Sequence, residues 1–220
     1  MEYRNEFILV DKTADRVTVV TLNNPPLNLV TLGLCRELRE TLSKLEQDDE
    51  VRVIVLTGSG KRAFCVGSDI KEFPEVWDDV IGKKLEQENL TFNAVELLSK
   101  PVIAAMEGNV LGGGCELSMA CDIRILSESG RIGLPEINLG VFPGSGGIFR
   151  LAKLVGPAKA VEMMYTGQML PAQEALRLGL VNRLAPEGAV CAAALELAQQ
   201  IVQKPFESLR LIKRAVRELW

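Results

Sequence analysis

The sequence predicts an α/β fold with an α-helical C-terminal region, and three observations carry that expectation. Strand-like runs bounded by glycine or proline are interspersed with helix-period stretches through most of the chain. Two of those runs, at 51–56 and 101–106, are almost wholly apolar, as strands covered on both faces are. The end of the chain reads as helix, with the stripes Val190, Ala194, Leu197, Ile201 and Leu209, Ile212, Val216, Leu219.

Taken in order, strands are predicted at 7–10 and 16–22, the second alternating Val17, Val19 and Thr21 with Thr18, Val20 and Leu22. Asn23-Asn24-Pro25-Pro26 then breaks the chain. Leu34, Leu38, Leu42 and Leu45 recur at helical spacing and predict a helix over 31–46. In 75–99 the residues Ile81, Leu85, Phe92, Val95 and Leu98 suggest helix, interrupted by Gly82, so a mobile start is expected. A glycine-rich bend and a short helix at 115–120 follow the 101–106 strand. Runs 123–126 and 131–134 read as short strands paired around Ser129-Gly130. Pro143-Gly144-Ser145-Gly146-Gly147 is a sharp loop opening a helix that stops near Gly156-Pro157. No linker rich in Gly, Ser or Pro divides the chain, and one unit is expected.

Composition narrows the chemistry. At 220 residues, 47% hydrophobic and 25% charged, the chain is neither disordered, collagenous nor a disulfide mini-protein. Twenty-five basic against 29 acidic residues give a net charge of −4, which carries no nucleic-acid footprint. There is no histidine, which excludes Ser-His-Asp and Cys-His mechanisms and any imidazole metal site. Acid–base work near neutrality then falls to Glu, Asp, Lys, Tyr or Cys with shifted pKa values. Cys35, Cys65, Cys115, Cys121 and Cys191 are odd in number, lack a Cys-x-x-Cys and sit among apolar neighbours, so they read as small core residues. The acidic N-terminus lacks an apolar signal core, and no apolar run reaches the roughly 20 residues of a membrane helix, so a cytoplasmic, membrane-free protein is expected.

Two glycine-bearing strand-to-helix junctions stand out. Gly112-Gly113-Gly114-Cys115-Glu116 follows a buried strand, where glycines let backbone approach a ligand and free N–H groups at a helix start favour negative charge. It matches neither the dinucleotide fingerprint nor a nucleotide P-loop. In Ala63-Phe64-Cys65-Val66-Gly67-Ser68-Asp69-Ile70-Lys71, Asp69 reads best as a helix N-cap, and Ser68, with no base at hand, offers its backbone N–H rather than a nucleophile. Glu116 and Glu136 lie in apolar company beside glycine loops and form a candidate acid–base pair, although spacing alone does not bring them together. The basic pairs Lys61-Arg62, Lys83-Lys84 and Lys213-Arg214, with Lys153 and Lys159, read as solvated faces.

Five segments in order resemble the enoyl-CoA hydratase/isomerase family, the crotonases: Ala63–Ile70, Lys100–Gly108, Leu111–Leu117, Gly133–Gly140 and Pro143–Gly147. The resemblance runs from about Val17 to Lys204. It implies a crotonase-like spiral of strand–strand–helix turns over 1–187, followed by a helical region at 188–220 that is short relative to family members. It implies an acyl-CoA substrate, no separate cofactor or metal, and assembly as a homotrimer or dimer of trimers. By the family pattern the N–H groups of Ser68 and Gly113 would form an oxyanion hole. Glu116 would activate water for attack on the β-carbon of a trans-2-enoyl thioester, and Glu136 would protonate the α-carbon. Val66 would lie near the CoA adenine, Gly144 would line the pocket, and Gly67, Asp69, Ile70 and Gly112 complete the expected substrate contacts. Ser68 and Val66 stand where alanine is common in the family. The two glutamates favour hydration over double-bond isomerisation. The alternatives are another acyl-CoA reaction on this scaffold or a non-catalytic CoA- or RNA-binding protein.

Overall fold

The computed structural model describes residues 3–13 and 15–219. Its first elements are β1 (Tyr3–Arg4), β2 (Ile8–Lys12), β3 (Val17–Leu22), α1 (Leu32–Glu46), β4 (Val53–Gly58) and β5 (Ala63–Cys65). A 3₁₀ stretch, Ile70–Asp79, and a π turn, Ile81–Leu85, lead into α2 (Glu86–Leu97). Then come β6 (Val102–Met106), β7 (Asn109–Leu111), α3 (Gly113–Ala120), β8 (Ile123–Ser127) and β9 (Arg131–Gly133). A 3₁₀ turn, Glu136–Leu139, precedes α4 (Gly147–Val155) and α5 (Pro157–Thr166). The chain closes with β10 (Met169–Pro171), α6 (Ala172–Arg177), β11 (Arg183–Ala185), α7 (Val190–Val202) and α8 (Phe206–Arg217).

Among the described residues the strands form two sheets, ordered β1-β2-β3-β4-β6-β8-β11 and β10-β9-β7-β5. The pairs from β3 through β4, β6 and β8 to β11 are parallel, as are β5-β7 and β7-β9. Three successive pairs, β4 then β5, β6 then β7, β8 then β9, each place one strand in the large sheet and the next in the small one. A helical segment follows each pair, and the result is the expected spiral of strand–strand–helix turns.

The apolar run behind β4 splits by parity, as a strand buried on both sides must. Ile54 and Leu56 join the main core with Leu34, Leu38 and Leu42 of α1. Val53 and Val55 join a second cluster with Ala194, Leu197 and Ala198 of α7. Helix α1 starts where Thr31 caps it, its hydroxyl accepting from Leu34 N at 3.0 Å. Four cysteines are buried as expected, whereas Cys191 is only half-buried.

Several expectations need correction. The runs at 123–126 and 131–134 do become strands, but they belong to different sheets and do not pair with each other. The turn at Ser129-Gly130 carries the chain between sheets; the sequence signals of a hairpin and of a sheet switch are the same. Strands β5, β7, β10 and β11, three residues each, were too short to show a period. Lys84 and Lys213, read as solvated, are buried: Lys84 faces Glu72 and Glu88, and Lys213 reaches Asp122 at 2.7 Å and Lys100 O at 2.9 Å. Lys213 points inward from the same side of α8 as the predicted stripe, and Leu209, Ile212 and Val216 line a cavity with it, opposite Met119. The helix forms over the predicted stripe, Ile212 and Val216 stay exposed at that cavity, and Lys213 and Arg217 bind carbonyls and a carboxylate beside them.

Candidate active site

Two bends build the floor of a cavity. The first follows β5 and runs through Val66, Gly67 and Ser68, with Gly67 at φ +109°. A parallel bridge joins Ser68 to Val30, its two 2.9 Å bonds running from Val30 N to Gly67 O and from Asp69 N to Val30 O. That pattern skips the Ser68 N–H and leaves it outside the ladder. Asp69 then caps the 3₁₀ stretch, its carboxylate accepting from Lys71 N at 3.0 Å.

The second bend joins β7 to α3. Gly112 sits at φ +53°, ψ −130°, a conformation closed to residues with a Cβ. Gly113 opens the helix, so its N–H has no partner within α3. The bends lie against each other: a Cβ built on Gly113 would stand 3.5 Å from Ser68 N, and one on Gly67 would stand 3.4 Å from Gly113 N. Gly114 seals the contact, because a Cβ there would meet Cys65 O at 2.1 Å.

Glu116 stands on α3, 2% exposed. Its Oε1 accepts from Ser145 N and Gly147 N, each at 2.8 Å, so the carboxyl caps the start of α4. Burial raises its pKa from 4.5 to about 8; the Gly147 N–H pulls the other way and the nearby Glu136 adds repulsion. Glu136 begins the 3₁₀ turn after β9, and both its carboxyl oxygens are buried with no hydrogen-bond partner among the described residues. Burial raises its pKa to about 7. A Cβ on Gly112 would come within 3.4 Å of Glu136 Oε1, so the second bend, the Glu136 carboxyl and the first bend are neighbours.

These groups face one cavity of about 210 Å³. Val66, Gly67, Ser68, Ile70, Gly112, Gly113, Glu116, Glu136 and Gly144 line it, as do the apolar side chains of Phe73, Leu85 and Phe142. Asp69, a sequence candidate, is not in the lining and serves as a cap. Sequence reasoning missed Glu88 of α2, 1% exposed and also in the lining. Its Oε1 accepts from Ser68 Oγ at 2.5 Å and its Oε2 from Ser145 Oγ at 2.9 Å, while Lys84 Nζ stands 3.5 Å away. A signal was present: Glu88, Phe92 and Val95 share one helical stripe, which puts the acid on the buried face.

Chemically, the cavity offers two backbone donors side by side that are unengaged among the described residues, with two carboxyl groups that exchange protons near neutrality. Such a set suits a reaction in which charge grows on an oxygen while a proton moves at a neighbouring atom.

A two-sheet spiral carrying its polar groups on glycine bends defines the crotonase class of α/β proteins. The family profile of enoyl-CoA hydratase/isomerase matches residues 12–219, and the chain belongs to that family. It is 41% identical over 218 residues to the short-chain-enoyl-CoA hydratase of Clostridium acetobutylicum, covering 98% of this chain and 82% of the relative. It is 34% identical to the crotonyl-CoA hydratase of Syntrophomonas wolfei, over 99% of this chain and 83% of that one. Among solved structures, the enoyl-CoA hydratase of Bacillus anthracis superposes with a TM-score of 0.93 at 39% identity, covering 96% of this chain and 82% of that chain. No helix among the described residues is long and apolar enough to cross a membrane.

Proposed function

We propose that this protein is an enoyl-CoA hydratase acting on short trans-2-enoyl-CoA thioesters, with no cofactor beyond the CoA carried by the substrate. The observation that carries the reading is the meeting of two protonatable carboxyls, Glu116 and Glu136, with the unengaged N–H groups of Ser68 and Gly113 in one cavity. The thioester carbonyl oxygen lies between those two N–H groups. Glu116, as carboxylate, takes a proton from water while the water oxygen bonds to the β-carbon. The β-carbon–α-carbon π electrons shift onto the thioester, and the enolate oxygen is held by the two backbone donors. Glu136, as carboxylic acid, gives its proton to the α-carbon and the carbonyl re-forms. One such donor is worth about 3–4 kcal/mol of barrier.

A cavity of about 210 Å³ with apolar walls suits a small acyl group, and the names of the two relatives point the same way. Val66, Gly67, Ile70, Gly112 and Gly144 make the remaining contacts with the thioester or its CoA. Self-association as a homotrimer or a pair of trimers belongs to the same reading, as does a cytoplasmic setting. The test follows the loss of conjugated-thioester absorbance with crotonyl-CoA and longer trans-enoyl-CoAs, with product analysis. Formation of 3-hydroxyacyl-CoA supports the reading; an isomerised enoyl product, or no turnover on any chain length, defeats it.

A further inference from the structure

We propose that Glu88 is a positioning residue that straps the Ser68 bend to the 143–147 loop and so fixes the oxyanion donor relative to the base Glu116. The inference rests on the hydratase reading above. Its ground is the division of one carboxylate between two halves of the site. Oε1 takes the Ser68 hydroxyl and Oε2 takes the Ser145 hydroxyl. Ser145 in turn donates its backbone N–H to Glu116 Oε1. An unbroken chain of hydrogen bonds therefore runs from the residue bearing one oxyanion donor to the carboxyl that activates water.

The same carboxylate is fixed from behind. Lys84, fully buried, pairs with Glu88 and Glu72 and donates to Val30 O at 3.0 Å. Val30 is the residue whose backbone brackets Ser68 on both sides. On the far side of the strap, Asn89 of α2 donates to Gly144 O at 2.9 Å and Arg150 donates to Ser145 O at 3.0 Å. Helix α2 thus grips both the bend and the loop, with Glu88 hydrogen-bonded to each. A buried ion pair of this kind is weak support for stability, since desolvation offsets much of its attraction. Its role is geometric, because a misplacement of 1 Å in a catalytic set costs roughly a hundredfold in rate.

Glu88 also faces the two acids as a like charge, and its presence raises both Glu116 and Glu136. Around it stand Lys84 and Glu72 from the 70–85 stretch, the thiols of Cys35 on α1 and Cys65 on β5, Glu116 on α3 and Glu136 after β9. Removing the charge while keeping the hydrogen bonds therefore has its own signature, in the pH profile.

The experiment compares wild type with Glu88→Ala, Glu88→Gln, Ser68→Ala and Ser145→Ala, using crotonyl-CoA hydration across pH 5.5–9.5 and thermal melts to check folding. Glu88→Ala is expected to lower kcat roughly 10- to 100-fold with KM little changed. Glu88→Gln, whose amide serves one serine as acceptor and the other as donor, is expected to restore most of kcat and to move both limbs of the kcat/KM profile to lower pH. If Glu88→Ala does not fold, the serines decide. Each single change lowers kcat, and the double change costs less than the product of the two if one strap links them. Unchanged kcat in Glu88→Ala, a Glu88→Gln profile superimposed on wild type, or serine effects that multiply independently would each overturn the strap. A wild-type protein with no turnover defeats the hydratase reading instead.

Discussion

Replacing Glu116 with Gln trades activity for stability, and the trade depends on pH. The folded carboxyl titrates near 8 and an ordinary glutamate near 4.5. Between those values the native state keeps a proton that the unfolded chain has released, so rising pH favours unfolding. Linkage over that window makes the burden about 1–2 kcal/mol at pH 5.5 and about 5 kcal/mol at pH 9, flat above the folded pKa. Gln cannot ionise, and its side-chain oxygen can still accept from Ser145 N and Gly147 N. Glu116→Gln should therefore gain roughly 3 kcal/mol more over wild type at pH 9 than at pH 5.5, while kcat with crotonyl-CoA falls at least about a hundredfold. Urea denaturation of both proteins at the two pH values, with m-values compared, measures the gap. Equal stability differences at both pH values would refute the claim that a buried, proton-retaining carboxyl stands here.

Other expectations follow from the same geometry. With Glu116 titrating near 8 and Glu136 near 7, the singly protonated pair is most populated between them. The reactive arrangement, Glu116 ionised and Glu136 protonated, is the minor tautomer and a fixed fraction of that pair, so kcat/KM should still form a bell centred there, and a profile flat down to pH 5 would contradict it. Gly114→Ala, whose methyl meets Cys65 O at 2.1 Å, should cost about 3 kcal/mol by chemical denaturation, and a neutral outcome would mean that α3 can slide off β5. Lys84→Met leaves the buried Glu88 and its neighbour Glu72 without their cation and should cost about 3–5 kcal/mol, visible as a lowered thermal midpoint.

Much of this molecule could be read from residue order. The parity of the 51–56 run, the Leu34-to-Leu45 stripe and the glycine junctions each carry their structure in local pattern, and each is found in the fold. What local pattern could not give is who meets whom. Glu116 and Glu136 converge because the spiral brings successive turns to one cavity, a consequence of strand registers no single segment encodes. The hairpin expected at Ser129-Gly130 failed for the same reason: a turn signal marks a reversal without saying which sheet receives the next strand. Lys84 hid in a π turn, where the helical count slips by a residue, and its burial concealed Glu88 with it. In α8 the apolar stripe was visible but not the inward turn of its charged neighbours, since Lys213 and Arg217 find carbonyl and carboxylate partners that lie far off in sequence.

The bends at 67–68 and 112–113 have one more implication. Their N–H groups belong to the main chain, so a side-chain change at Ser68 can shift the amide but cannot delete it, whereas a single codon change erases either acid. On the proposed hydratase reading, a lineage built on this scaffold would then discard its proton carriers and keep its hold on an electron-rich oxygen. Drift at 116 and 136 would then alter which bond is remade long before it abolished recognition of the thioester.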